Sequence, residues 1–135
     1  MANALYDLGR EGFLGGDIDW DADNIKLVLR DENDDAPNLT TDQYLSDILA
    51  AARVATSGNF TSKSKTLGVA NASNVTLSSV SGDESESLDI YQDTGTEGTS
   101  RLIANIDTAT GLPVTPNGGD ITVQWDTGAN KIFKL

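Results

Sequence analysis

The sequence predicts an all-β fold, an antiparallel β-sandwich or small barrel of jelly-roll or Ig-like type, with one short α-helix and an extended N-terminal arm. Three observations point there. Short runs rich in Val, Ile, Leu and aromatic residues recur between clusters of Gly, Asn, Asp and Ser, the punctuation of strands and turns. Only one stretch combines helix-start signals with helical apolar spacing. The 135 residues suffice for one domain with a buried core, although the chain has no Cys to staple it.

Residues 1–24 form the expected arm, punctuated by Gly and carrying Leu5, Tyr6, Phe13, Leu14 and Trp20 as its large apolar residues. The β domain is expected over residues 25–135 and opens with the strand IKLVLRD (25–31). DENDDAPN (31–38) is an acidic loop closed by Pro37. A helix is expected near 41–52: Thr40 with Gln43 makes a capping box, Asp42 suits the positive helix end, and Leu45, Ile48, Leu49 and Ala52 share one face. Further strands are expected at KTLGVA (65–70), NVTLSSV (74–80), SLDIYQD (87–93), RLIANID (101–107), DITVQWD (120–126) and NKIFKL (130–135). The last two should form a hairpin that docks the C-terminal strand.

Charge and missing residue types exclude several functions. The net charge of −12 speaks against direct contact with nucleic acid or an anionic membrane, which require clustered Lys and Arg. Residues 1–52 hold 12 acids against 3 bases, so −9 of that charge lies in the first two fifths of the chain. With no His and no Cys, the usual general base, the commonest zinc ligand and a thiolate nucleophile are all missing. No basic segment followed by an apolar one marks a secretory signal, and no apolar run approaches the roughly 18 residues that span a bilayer.

Two patterns invite sharper readings. Asp17, Asp19, Asp21 and Asp23 alternate along GGDIDWDADN. A calcium loop of EF-hand type beginning at Asp17 requires Gly at its sixth position and Glu at its twelfth, where the sequence has Ala22 and Val28. The favoured reading is a solvated acidic face with Ile18 and Trp20 opposite it; a loosely held Ca²⁺ or Mg²⁺ on the four carboxylates is the weaker alternative. Asp-Thr-Gly occurs at 93–95 and at 126–128, as in aspartic proteases, where two such turns share a proton. Only 33 positions separate the two Asp, and nine residues follow Asp126, which leaves no room for a second lobe. Both motifs are read as reverse turns. No catalytic residue and no cofactor is expected, and the chain is expected not to be an enzyme.

Over nearly its full length the chain resembles a family of small virion proteins of tailed bacteriophages, the head-decoration or capsid-cement type. The segments that carry the resemblance are LYDLGREGFLGGDIDWDADNIKLVLRD, YLSDILAAARVATS, IYQDTGTEGTSRLIANIDTATGLPVTPNGGDITVQWD and KIFKL. The resemblance implies a structural protein made in the bacterial host cytoplasm and carried on the capsid surface of the virion. It would bind the phage major capsid protein, stabilise the shell and self-associate as a dimer or trimer. Leu5, Tyr6, Phe13, Leu14 and Trp20 are then candidates for capsid or subunit contact, lying across a neighbour or else covering their own core. A tail or adsorption-apparatus protein, with a carbohydrate-binding β-sandwich, is the alternative.

Overall fold

The computed structural model describes residues 3–135. Its largest sheet has five strands in the order β1 (Ala4–Leu5), β8 (Leu102–Ile106), β7 (Ser87–Asp93), β2 (Asn24–Arg30) and β3 (Arg53–Thr56). A three-stranded sheet has the order β10 (Phe133–Lys134), β5 (Val69–Asn71) and β4 (Ser64–Thr66), and β6 (Val75–Leu77) pairs with β9 (Ile121–Val123). Every pairing between these strands is antiparallel. The large sheet has free edges at β1 and β3, so the architecture is a small sandwich and not a closed barrel.

The strands β2 and β7 form the centre, in register from Asn24↔Asp93 to Arg30↔Ser87. Alternation along β2 sends Ile25, Leu27 and Leu29 to one face and Val28 to the other. Both faces are buried. The first packs on the small sheets through Ala70, Val75, Leu77, Phe60 and Trp125. The second, bearing Val28, Tyr91 and Leu102, is covered by Ile48 and Ala52, with Leu39 and Leu45 at the margin.

The helix expected near 41–52 does not form. That segment contains two 3-10 turns, Leu45–Asp47 and Ala50–Ala52. Its backbone is spent elsewhere. Leu45 N–H donates to Ser100 O at 2.8 Å, and Gln43 O accepts from Leu102 N–H at 2.8 Å. Asp47 Oδ2 accepts from the N–H groups of Gln43 and Tyr44 at 2.8 and 2.9 Å. A helix would have to consume these groups internally. The apolar spacing still buries Ile48 and Ala52, but pairing with the start of β8 outweighs a propensity worth only tenths of a kcal/mol per residue.

The α-helix lies instead within the expected arm, as α1 (Asp7–Leu14). Its sequence, DLGREGFL, holds two glycines that each disfavour a helix by about 1 kcal/mol relative to Ala. Contact explains them. A Cβ on Gly9 would stand 2.6 Å from Leu102 O, and one on Gly12 would stand 2.8 Å from Ile18 Cδ1. Spaced three apart on one helix face, the glycines let α1 lie directly on β8 and on the chain that returns beneath it. Residues 3–24 are therefore no extended arm but part of the body, with Leu5 joining the sheet in β1.

The C-terminal hairpin is also absent. β9 pairs with β6, while β10 crosses to β5 with Phe133 opposite Ala70. Aromatic packing anchors it there. The Phe133 ring lies 5.4 Å from Trp20 and 6.0 Å from Phe13, and Trp20 continues through Phe60 to Trp125. The single strand expected at 65–70 is two, β4 and β5, joined by a two-residue turn at Leu67 and Gly68.

Candidate functional site

Of the five candidate contact residues, four serve their own core. Leu5, Tyr6 and Trp20 are buried, and Phe13 is half-buried against Phe133. Only Leu14, 90% exposed, stands free for a neighbour.

Tyr6 belongs to a buried polar network on the second face of the large sheet. Its hydroxyl donates to Asp89 Oδ1 at 2.5 Å and accepts from Arg30 Nη1 at 3.2 Å. Arg30 Nη1 also donates to Asp89 Oδ2 at 3.1 Å, and Asn105 Nδ2 donates to Asp89 Oδ1 at 3.0 Å. Arg30 Nε donates to Asp35 O at 2.7 Å, and Nη2 lies 3.5 Å from the Asp35 carboxylate and 3.7 Å from that of Asp42. Burial raises the Asp89 carboxyl above the usual carboxylate range, against the pull of Arg30 and of the Tyr6 and Asn105 hydrogen bonds. Burial raises the Tyr6 hydroxyl as well, and the neighbouring Asp89 adds to that rise. For Arg30 burial disfavours the charge, but Asp89, Tyr6 and Asp35 together favour it and raise the guanidinium above its ordinary value. The side chains at the heart of this network have no exposed surface through which to meet a substrate. It is a structural clamp between β1, β2, β7 and β8.

The four alternating aspartates form a tight turn rather than a strand. Asp19 Oδ1 accepts from Asp21 and Ala22 N–H, both at 3.1 Å, and these bonds, led by that from Ala22, hold its carboxyl below the usual range. Asp23 Oδ2 accepts from Asp19 N–H at 2.8 Å and from Gln92 Nε2 at 2.6 Å. Asp17 pairs with Arg101 at 3.2 Å and Asp21 with Lys65 at 3.1 Å. Lys63 donates to the Asp23 carbonyl. The expected division holds, with Ile18 and Trp20 inward, but each carboxylate has a local structural task. Among the described residues, the three acids whose oxygens come within 4.8 Å of one another are Asp31, Asp34 and Asp83.

The two Asp-Thr-Gly turns face different surroundings. Asp93 pairs with Lys26 at 2.7 Å and caps its own turn through Gly95 N–H at 3.0 Å. The Lys26 contact, helped by that cap, lowers its carboxyl. Asp126 is exposed and lines a cleft with Gln124 and Lys131.

The surface feature that the sequence reading missed is an apolar groove of about 390 Å³. Phe13, Trp20, Ala70, Phe133 and Leu135 line it, with Asp19 and Lys65 at its rim. Leu14 follows Phe13 in the chain, and Leu67 precedes Gly68, another lining residue. Leu14, Leu67 and Leu135 are 90%, 87% and 58% exposed. Leu67 is doubly anomalous. It occupies the first position of a hairpin turn in which both central residues have positive φ, +55° at Leu67 and +78° at Gly68. Asn or Gly takes that position readily, whereas a bulky L-residue is strained there by about 1 kcal/mol or more. Its side chain also gains nothing by burial within the chain. No family model and no curated protein matches the chain.

Proposed function

We propose that this chain is a non-enzymatic structural protein of a tailed-phage virion. On this reading it decorates and cements the capsid exterior by binding the major capsid protein through the groove between α1, the β4–β5 turn and β10. The observation that carries the reading is Leu67, a large apolar side chain held in solvent in a conformation that disfavours it. Strain and exposure together make sense where a partner covers the residue. The sequence resemblance supplies the partner's identity. The acidic surface supports it too, since a protein held at high local density around packaged DNA benefits from having no affinity for DNA. Self-association as a dimer or trimer belongs to the same proposal. The test uses purified heads that lack the protein. Added back, it should sediment with the heads and raise their tolerance of heat or low salt. Sedimentation with isolated tails instead of heads would replace the capsid reading with the tail reading.

A further inference from the structure

A second concavity, of about 650 Å³, opens between the end of β8 and the segment that follows β9. Its apolar lining comes from Ile106, Val123 and Ile132, with Leu88 and Trp125 almost wholly buried behind their neighbours. Trp125 is fixed there by its core packing: its indole N–H donates to Ser73 O at 3.1 Å, and its ring lies 5.4 Å from Phe60. Its polar lining includes Thr110, Gln124, Asp126, Thr127 and Lys131. The side chains of Thr110, Gln124 and Asp126 make no hydrogen bond or ion pair with any described residue. Lys131 donates to Thr127 O at 3.1 Å and sits in the left-handed region at φ +48°, a strained conformation of the kind found at ligand sites.

This lining selects a chemical class. Among the described residues it holds one carboxylate and one ammonium, so these supply no cationic excess of the kind that a phosphate or nucleotide requires. A purely apolar ligand would strip water from Gln124 and Asp126 and return no hydrogen bond. A ligand with C–H faces for the apolar wall and hydroxyls that both donate and accept satisfies both sides. The volume lies in the range of small-molecule sites. We infer that the cleft binds a neutral saccharide, with Asp126 accepting from its hydroxyls, Gln124 bonding in both directions, and the half-buried Ile106, Val123 and Ile132 packing on the ring. The inference is independent of capsid attachment, because the cleft and the groove beside the β4–β5 turn have no lining residue in common.

The saccharide is either free or an exposed unit of a polysaccharide, and two assays separate these sources. Uncharged oligosaccharides of glucose, mannose, galactose and N-acetylglucosamine are titrated into labelled protein and followed by amide and indole chemical shifts. Insoluble cellulose, chitin and starch are tested by cosedimentation. The expected result is binding in at least one assay, with shifts at residues 122–127 and at the Trp125 indole but not the Trp20 indole. Asp126→Ala and Gln124→Ala, both at exposed positions, should keep the spectrum of the fold and weaken binding about tenfold or more. Binding to neither soluble nor insoluble sugars would overturn the inference. So would binding that both variants retain at full strength, or inorganic phosphate shifting the same residues at lower concentration than any sugar.

Discussion

On the second face of the large sheet, Arg30, Asp89, Tyr6 and Asn105 are buried and paired with one another, while Leu14 at the end of α1, Leu67 in the β4–β5 turn and Leu135 stand largely in solvent. The first region places charge where water is absent and pairs it with neighbours, although among the described residues Arg30 Nη2 and Asn105 Oδ1 make no hydrogen bond. The second places apolar surface where water is present and strains the backbone at Leu67 as well. Buried pairs of this kind fix register and orientation more than they add stability. Exposed apolar side chains in strained turns add nothing to stability, so the region that looks weakest energetically is the one that points to a partner. Stability and attachment are thus expected to separate cleanly by position.

The largest effect should come from breaking the network. Asp89→Ala leaves the Arg30 guanidinium buried beside Tyr6 without its main counter-charge, and should lower unfolding free energy by about 3 to 5 kcal/mol in a urea titration. A loss below about 1 kcal/mol would mean that Asp35 and Asp42 already compensate Arg30. Next is Gly9→Ala. Helix propensity alone would make it stabilising by about 1 kcal/mol, but the added Cβ meets a backbone oxygen at 2.6 Å. Overpacking against rigid backbone should win and destabilise by about 1 to 3 kcal/mol, read as a lower melting temperature.

A smaller effect attaches to pH. The folded-state carboxyl of Asp93 lies below its unfolded value of about 3.9, chiefly because of Lys26. The stabilisation is therefore fully present above pH 4 or so and is lost as pH falls through the lower folded value. Asp93→Asn should cost roughly 0.5 to 1 kcal/mol at neutral pH, the scale of a partly exposed pair, and should flatten the acid limb of the stability curve. An unchanged acid limb would show that other carboxylates govern it.

How much of this could be read in the sequence depends on where each element's hydrogen bonds go. The expected strand at 87–93 matches β7 residue for residue, and β2 is displaced by one residue, because each is long and its own apolar pattern coincides with burial. The helix was misplaced for opposite reasons at its two candidate positions. In residues 41–52 local signals were strong but long-range backbone pairing overrode them. In α1 two glycines hid a helix that exists because they allow close approach to β8. The signal was present as a three-residue glycine spacing behind Asp7. Leu67 was concealed within an apparent strand because its turn lacks the Asn-Gly pair that usually marks one. The groove it flanks could not be foreseen, since its walls come from residues more than a hundred positions apart, Phe13 and Phe133 among them.

The most direct test of the separation between stability and attachment is Leu67→Asn, measured both for melting temperature and for binding to heads that lack the protein. Asn adopts the left-handed turn with less strain, so the melting temperature should hold or rise, by up to about 1 kcal/mol of stability. Loss of a side chain that would be buried at a contact should weaken head binding about tenfold or more. A variant that melts lower, or that binds heads as tightly as the parent chain, would contradict the account.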